Sequence, residues 1–555
     1  MIKMNYSRVI QKTMAITMAM ALSLISLTGC GSNEPVQSGT EGSNNTETTT
    51  NSETSDSKAA ESTAQVSSSG ESKVVVGLAH DPQNIGPFQG MSAGRIGILY
   101  TVYEFLVTTE GGEMKGVLMK DYEKIDDLTY TCEIYDYITD QLGNPVTAED
   151  VVFSYNTAMQ SGNLPKLGSI DSVKVISDYV IEFKFNNLSI GDLGALWMEC
   201  PIVTQAAYEA SPDEMATDPI STTAYKCTDY ISGSKIVFTN TGNYWQTDAS
   251  KINNTSKSNV DVIEFDIITD SAQLTNALKT SAIDVTNWLS DIDVADFQGM
   301  EGFEVAPIPD NTTYFLLFNC DGDQGAFADN EKFRQALAYA VDSQQLVDGA
   351  LIGSGNVAKT WGNTNYSDYV STWNNEDYYS YDLEKAKQLL AESGAAKTTL
   401  NLMITSTDLN TKLATIIQAQ LALIGITVNI STYDSQLFNE YKYQPDQWDI
   451  MLDQGASTSY LVNVWKLNWD SSGYVHGGSE NFVKDDKLQE LLIAAMDVDN
   501  HNDTTMDAFH QYLKEQCYGI GLVQSMSNIA HTARISKITV DARGQVTPGA
   551  CEYTF

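Results

Sequence analysis

Basic residues are scarce in this chain of 555 residues, which has 32 lysines and arginines against 72 aspartates and glutamates. The phosphate backbone of a nucleic acid would be repelled by such a charge, and the sequence has no basic stripe of the kind that binds one. Nucleic acid is therefore discounted as a partner. The excess of negative charge favours solubility outside the cell over a role in ligand steering.

Enzyme signatures are also lacking. The sequence contains no G-x-S-x-G, H-E-x-x-H, G-x-x-x-x-G-K-[ST] or G-x-G-x-x-G motif. Its five histidines are scattered and never stand at the spacing of metal ligands. The sequence therefore predicts neither an enzyme nor a cofactor or metal site.

Only one long apolar run occurs, from Met14 to Leu27, and it follows three basic residues near the N-terminus. This layout predicts a signal peptide over residues 1–29, with an uncleaved transmembrane helix as the alternative. Leu27-Thr28-Gly29-Cys30 resembles the site at which bacterial lipoproteins are cleaved and lipidated, which makes Cys30 the predicted lipid anchor. Residues 31–72, rich in Ser, Thr, Glu, Asn and Gly, predict a disordered tether beyond it.

Cysteines are few and widely spaced, and no two of them form a C-x-x-C pair. A zinc site or a thioredoxin-like motif is therefore not indicated. An even number of cysteines outside the cell permits disulfides without showing them. We expect mostly buried thiols at the six positions beyond the anchor, which are Cys132, Cys200, Cys227, Cys320, Cys517 and Cys551.

The most specific stretch predicts a strand, a turn and a capped helix within thirty residues. Apolar and polar residues alternate over 127–134, as in a half-buried strand. Gly143-Asn144-Pro145 then predicts a turn. A helix should begin near Ala148, because Thr147 can cap it and Asp150 can complete a capping box.

Two motifs carry a family resemblance. Residues 145–154 read PVTAEDVVFS and residues 333–342 read FRQALAYAVD. Both closely resemble signatures of the bacterial extracellular solute-binding proteins of family 5, the oligopeptide- and dipeptide-binding lipoproteins of ABC importers among them. Looser matches follow in the family's order at residues 223–245, 284–288 and 313–319, so the resemblance covers roughly residues 73–545.

The resemblance implies an α/β fold of the two-lobed, periplasmic-binding-protein-like (cluster C) type, with a hinge and an extra subdomain in the first lobe. Lobe 1 is expected at 73–317, with the inserted subdomain at about 110–205. Lobe 2 is expected at 318–520, and residues 521–555 should return to lobe 1. From Thr398 onward the residue pattern itself predicts a strand, a helix and a strand, as in a βαβ unit.

The implied function is that of a monomeric extracellular lipoprotein on the outer face of the cytoplasmic membrane. It would capture a small solute between its lobes and deliver it to the permease and ATPase subunits of an ABC importer. Aromatic side chains in loops suit such a cleft, because they bind the apolar face of a ligand at little entropic cost. Resemblance and loop position together predict ligand contacts at His80, Gln83, Asn84, Asn287, Trp288, Tyr314, Asn319, Trp361, Gln454, Gly455, Ser457, Thr458, Ser459 and Tyr460.

One departure from the family pattern bears on the ligand. Peptide-binding members carry A-D-Y-x-D-P after the strand that begins W-D-[IL], and the first of those aspartates holds the α-ammonium of the peptide. Here residues 455–463 read GASTSYLVN and contain no acid. Because a buried ammonium needs a charged partner, either the ligand lacks a free amine there or another acid holds it.

An oligopeptide remains the first expectation for the ligand. An oligosaccharide, or another solute without a free amine, is the alternative within the same role. A surface lipoprotein that senses or adheres without transport is the alternative from a different class.

Overall fold

The computed structural model describes residues 71–110, 112–323, 326–395, 397–457 and 460–554. They belong to one compact unit that runs from Ser69 to Phe555. The predicted signal peptide, Cys30 and most of the tether lie outside the described residues, and so do Thr458 and Ser459. No helix within the described ranges is long and apolar enough to cross a membrane.

Nineteen strands are present in the described part of the chain. They are β1 Lys73–Leu78, β2 Val107–Glu110, β3 Glu113–Gly116, β4 Met119–Asp126, β5 Thr129–Ile134, β6 Ile170–Ser177, β7 Val180–Phe185, β8 Tyr225–Ile231, β9 Lys235–Asn240, β10 Val262–Ile267, β11 Val285–Thr286, β12 Phe303–Phe318, β13 Gly355–Val357, β14 Thr399–Thr405, β15 Thr427–Tyr433, β16 Ile450–Gly455, β17 Gly519–Thr532, β18 Ile535–Lys537 and β19 Glu552–Tyr553.

Fourteen α-helices accompany these strands in the same residues. They are α1 Ala93–Val102, α2 Ala148–Ser161, α3 Asp192–Trp197, α4 Gln205–Ala210, α5 Ser271–Lys279, α6 Asp291–Ala295, α7 Glu331–Ala340, α8 Ser343–Ala350, α9 Leu383–Ser393, α10 Asp408–Ala422, α11 Ser435–Tyr441, α12 Leu461–Trp469, α13 Asp486–Met496 and α14 Asp503–Gln516.

One mixed sheet of eleven strands runs through the molecule. Its order is β15-β14-β16-β12-β17-β11-β1-β10-β9-β8, with β13 paired to β17 off this path. The two long strands β12 and β17 lie at its middle and pair antiparallel in two blocks, Phe303–Pro309 and Thr313–Leu317 of β12. The register shifts between Pro309 and Thr313, so these strands carry an irregularity where one block gives way to the next.

The two larger hydrophobic cores of the described residues divide along β12 and β17, and a third, smaller cluster contains Leu274, Leu278 and Phe297. One core draws its buried residues from 314–523. The other draws them from 74–308 and again from 529–551. Because each core has its own set of elements and only β12 and β17 contribute to both, the fold is two-lobed with two crossing strands. The predicted lobe boundaries fall in these strands.

Residues 126–155 fold as the sequence predicts. Tyr130, Cys132 and Ile134 of β5 are buried on one face, and α2 begins at Ala148. The Asp150 carboxylate accepts hydrogen bonds from the Thr147 backbone N–H at 2.8 Å and from its hydroxyl at 2.9 Å. β5 lies in a separate four-stranded sheet, β4-β5-β7-β6, within the range predicted for the inserted subdomain.

The crossing strands are longer than predicted. The sequence indicates strands at 313–319 and 520–524, whereas β12 begins at Phe303 and β17 ends at Thr532. The outer part of β12 contains Pro307 and Pro309. Because proline weakens a strand prediction, the sequence does not indicate that β12 begins as early as Phe303. The βαβ prediction is confirmed, because β14 and β15 pair in parallel on either side of α10. All six cysteines of the described residues are free and buried, which confirms that prediction as well.

Candidate functional site

A cavity of about 850 Å³ lies between the two lobes. Lobe 1 contributes α3, the loop around Asn287 and the C-terminal segment 542–545. Lobe 2 contributes α12 and the segment around Ser457, while β12 and β17 form the floor with Asn311 and Asn528. The cavity therefore draws residues from both lobes and from the strands that connect them.

The wall of lobe 1 carries a cluster of charges around Glu199. Its Oε2 atom lies 3.3 Å from Arg543 Nη2 and 3.4 Å from Lys166 Nζ. Arg543 Nη1 donates a hydrogen bond of 2.8 Å to the hydroxyl of Tyr100. Burial raises the pKa of Tyr100 to about 12, so its hydroxyl stays protonated. Burial alone would lower the pKa of Arg543, but Tyr100, Glu199 and Asp541 outweigh it and raise the pKa, so the guanidinium stays charged.

The facing wall carries Lys466 on α12. Its Nζ atom lies 3.0 Å from the Ser189 hydroxyl and 3.0 Å from Asp192 Oδ2, both in lobe 1. Asp192 also accepts a hydrogen bond of 2.8 Å from the backbone N–H of Ser189. The ammonium of one lobe is therefore held by a hydroxyl and a carboxylate of the other.

Two amide oxygens of the cavity lining are buried without a hydrogen-bond partner among the described residues, Asn463 Oδ1 and Gln545 Oε1. A buried acceptor without a partner is costly, and a bound solute with N–H or O–H groups would satisfy it. The cavity therefore offers acceptors as well as charge. Among the described residues no group of three or more histidines, cysteines, aspartates or glutamates could hold a metal ion.

Two of the predicted contact residues line the cavity, Asn287 and Ser457. Asn287 uses its amide within the protein, donating to the Gly544 carbonyl at 2.9 Å and accepting from the Val546 N–H at 3.2 Å. It thereby fixes the C-terminal segment that carries Arg543. The side-chain amide of Asn311 donates a hydrogen bond of 3.1 Å to the backbone carbonyl of Ser457.

Four predicted residues of lobe 1 do not line this cavity, His80, Gln83, Asn84 and Trp288. His80 packs edge-on against Trp288, with ring centroids 4.8 Å apart. Asn84 accepts a hydrogen bond of 2.7 Å from Arg95, and Gln83 is exposed with a φ of 62°.

Trp361 and Asn319 lie inside lobe 2, away from the cavity lining. Trp361 is fully buried in lobe 2, where it stacks on Phe315 with ring centroids 4.2 Å apart. Asn319 is 1% exposed and donates to the carbonyls of Pro445 and Trp448. Both side chains are used inside lobe 2, so neither is available to a ligand in this structure.

Four more predicted residues are not part of the cavity lining, Tyr314, Gln454, Gly455 and Tyr460. Tyr314 is almost buried and Gln454 is exposed, while Gly455 lies under Val464. Tyr460 has its ring centroid 5.5 Å from that of His501. Thr458 and Ser459 lie outside the described residues.

The acid next to this segment, Asp453, does not replace the missing aspartate. It lies 3.9 Å from Lys442 Nζ, which also approaches Glu480 at 2.8 Å. Burial, followed by the charge of Glu480, raises the pKa of Asp453 to about 7. Asp453 belongs to this buried group of lobe 2 and not to the cavity lining.

Sequence reasoning missed the charged residues of the cavity, Lys166, Asp192, Glu199, Lys466 and Arg543. They come from four separate segments of the chain, and no local pattern in the sequence links these segments to one another. The only local signal is the C-terminal return to lobe 1, which places residues 541–545 beside the cleft.

Comparison with known proteins agrees with this architecture. A sequence model of the bacterial extracellular solute-binding proteins, family 5 Middle, matches residues 113–477, more than half of the chain. The chain belongs to this family. Members of this family are bacterial extracellular solute-binding proteins.

Individual relatives are distant. The dipeptide-binding protein of Escherichia coli (strain K12) is 26% identical over 398 residues, which cover 64% of this chain and 69% of that protein. Heme-binding protein A of Haemophilus influenzae is 25% identical over 375 residues, covering 60% of this chain and 65% of that protein. The structure of HbpA2 from Haemophilus parasuis superposes with a TM-score of 0.75 at 20% identity, covering 87% of this chain and all of that one. This likeness confirms the two-lobed fold.

Proposed function

We propose that this protein is the substrate-binding lipoprotein of an ABC importer and that it captures a small solute between its lobes. The observation that carries the proposal is the cavity of about 850 Å³, whose lining comes from both lobes and from the crossing strands. A solute there contacts both lobes at once. Its contacts with the second lobe favour the closed arrangement, which a permease can distinguish from the open one.

The proposal includes attachment through a lipidated Cys30 to the outer face of the cytoplasmic membrane, and delivery of the solute to permease and ATPase subunits. A monomer suffices for this role, because the cavity is built from one chain. Relatives named for dipeptide binding support a peptide as the first candidate ligand.

A solute without a free amine is favoured by one specific observation. Both acids that line the cavity in the described residues, Asp192 and Glu199, already face lysine or arginine. A peptide α-ammonium would have to compete for one of them, whereas an oligosaccharide or an N-blocked peptide would not.

Native mass spectrometry of the purified protein tests the proposal, before and after denaturing release of any bound molecule. Fragments spaced by amino-acid residue masses would establish a peptide, and hexose or pentose spacings would establish a sugar. A protein that releases no solute and binds none from either class would contradict solute capture.

A further inference from the structure

The charge of the cavity runs opposite to that of the chain. Five charged side chains line it among the described residues, and three of them are basic: Lys166, Lys466 and Arg543. Acids outnumber bases more than twofold in the whole sequence. The lining of the cavity thus carries one more basic than acidic side chain in an acidic protein, which favours an anion at this surface.

Both acidic side chains of the lining form ion pairs with these basic side chains. Asp192 faces Lys466 at 3.0 Å, and a single oxygen of Glu199 faces both Arg543 and Lys166. The Glu199 carboxylate is thus shared by two cations, and a further acid, Asp541, favours the charged form of Arg543 from outside the lining. Solvent screens the contact of Arg543 with Glu199 poorly, because these side chains are 10% and 5% exposed, whereas Lys166 is 59% exposed and more accessible to a further carboxylate.

Arg543 is held in place for such a contact. Its backbone N–H donates to Asp541 at 2.8 Å, and one terminal nitrogen donates to Tyr100 at 2.8 Å. The Asn287 amide fixes the neighbouring Gly544 carbonyl at 2.9 Å. A guanidinium that is already ordered loses little entropy when it binds an anion, which strengthens the contact.

We infer that the cavity selects an anionic solute, whose carboxylate binds at Arg543 and Lys166 while its N–H or O–H groups meet Asn463 and Gln545. The inference rests on the proposed function and names the ligand class of the same site. The carboxylate could belong to an acidic or N-blocked peptide or to a sugar acid. A cationic solute is disfavoured, because no acid of the described lining is free of a basic partner.

Matched probes test this inference by isothermal titration calorimetry on the full chain. N-acetyl-trialanine with a free carboxylate is compared with its carboxamide, and digalacturonic acid with neutral digalactose. We expect the acid of one pair to bind at least about tenfold more tightly than its neutral partner, as for a charge-assisted hydrogen bond. The pair that shows the preference identifies the source of the carboxylate. The molecule released from the purified protein should likewise be anionic.

Substitutions locate the effect. Lys166→Gln, at a side chain 59% exposed, should weaken binding of the acid up to about fivefold more than it weakens binding of the neutral probe. Arg543→Gln should abolish the preference for the acid over the neutral probe. If Arg543→Gln folds poorly, Lys166→Gln still tests the inference. Lys174→Gln, which removes a lysine 61% exposed and paired with Glu182 outside the cavity, should change neither affinity.

Equal or tighter binding of the neutral probes, or a neutral or cationic released molecule, would overturn the anion preference and leave solute capture standing. If no probe binds and no molecule is released, both proposals fail.

Discussion

A short segment of lobe 1, residues 188–192, reaches across to lobe 2. The side chain of Ile190 packs against the lobe 2 core, and its backbone N–H donates to the Met496 carbonyl at 3.0 Å. Lys466 of lobe 2 bonds to Ser189 and Asp192 of the same segment. We expect this segment to act as a latch that stabilises the closed arrangement of the lobes.

Replacement of Ile190 by alanine should release the latch. A fully buried isoleucine cut to alanine costs about 2–5 kcal/mol, and Ile190 is half-buried, so a loss of about 1–2 kcal/mol is expected. The contact with lobe 2 exists only while the lobes touch, so the loss falls on the closed state. The ratio of open to closed molecules should then rise about 5- to 30-fold.

Distances between labels on the two lobes measure this ratio directly. All six described cysteines are buried, so labels attach selectively at cysteines introduced for Glu123 in lobe 1 and Glu490 in lobe 2, with Cys30 replaced by serine. Double electron–electron resonance without added solute should show a larger population at long distance in Ile190→Ala. Ile176→Ala removes the same atoms from a side chain 57% exposed on β6 and should change nothing. An unchanged distance distribution in Ile190→Ala would refute the latch.

Three further predictions concern named residues. Gly191→Ala should also open the lobes, because Gly191 has a φ of +82° and an added Cβ would lie 2.5 Å from the Tyr460 ring. The same distance measurement between the two lobes checks this prediction, and a distribution like that of wild type would contradict it. Burial, aided by Lys514, lowers the pKa of His510 to about 4. Because the unfolded chain binds this proton near pH 6.5 and the folded protein does not, the free energy of unfolding should fall by up to roughly 3 kcal/mol as the pH falls from 6.5 towards 4. In denaturant melts, the free energy of unfolding of His510→Gln should depend less steeply on pH than that of wild type. Equal pH dependence in the two proteins would contradict this role of His510. Asp150→Ala should lower the stability by about 1 kcal/mol through loss of the cap on α2, measured at neutral pH against Glu149→Ala, which lies beside it without a cap contact.

Local chemistry accounts for the parts of the fold that the sequence predicted well. The helix at Ala148 is set by Thr147 and Asp150 within one turn, and the βαβ unit is set by period and turn residues within about thirty-five positions. The sequence predicts crossing strands that are shorter than those of the structure, because their outer halves contain prolines and polar residues. Their pairing partner, more than 200 residues away, is what keeps those halves extended.

The site was harder to predict, for a physical reason that Trp361 and Arg543 show together. A tryptophan in a loop can line a cleft or complete a core, and its local sequence is the same in both cases. Here Phe315 offers a stacking surface within lobe 2, and burying the ring there is worth more than leaving it at the cleft. Arg543 shows the converse, because an arginine near a chain end has the sequence context of a solvated surface. Only the return of the C-terminal segment to lobe 1 brings it against Tyr100 and Glu199, 443 and 344 residues away. The candidate site therefore depends on contacts between distant segments, which patterns within any one segment do not show.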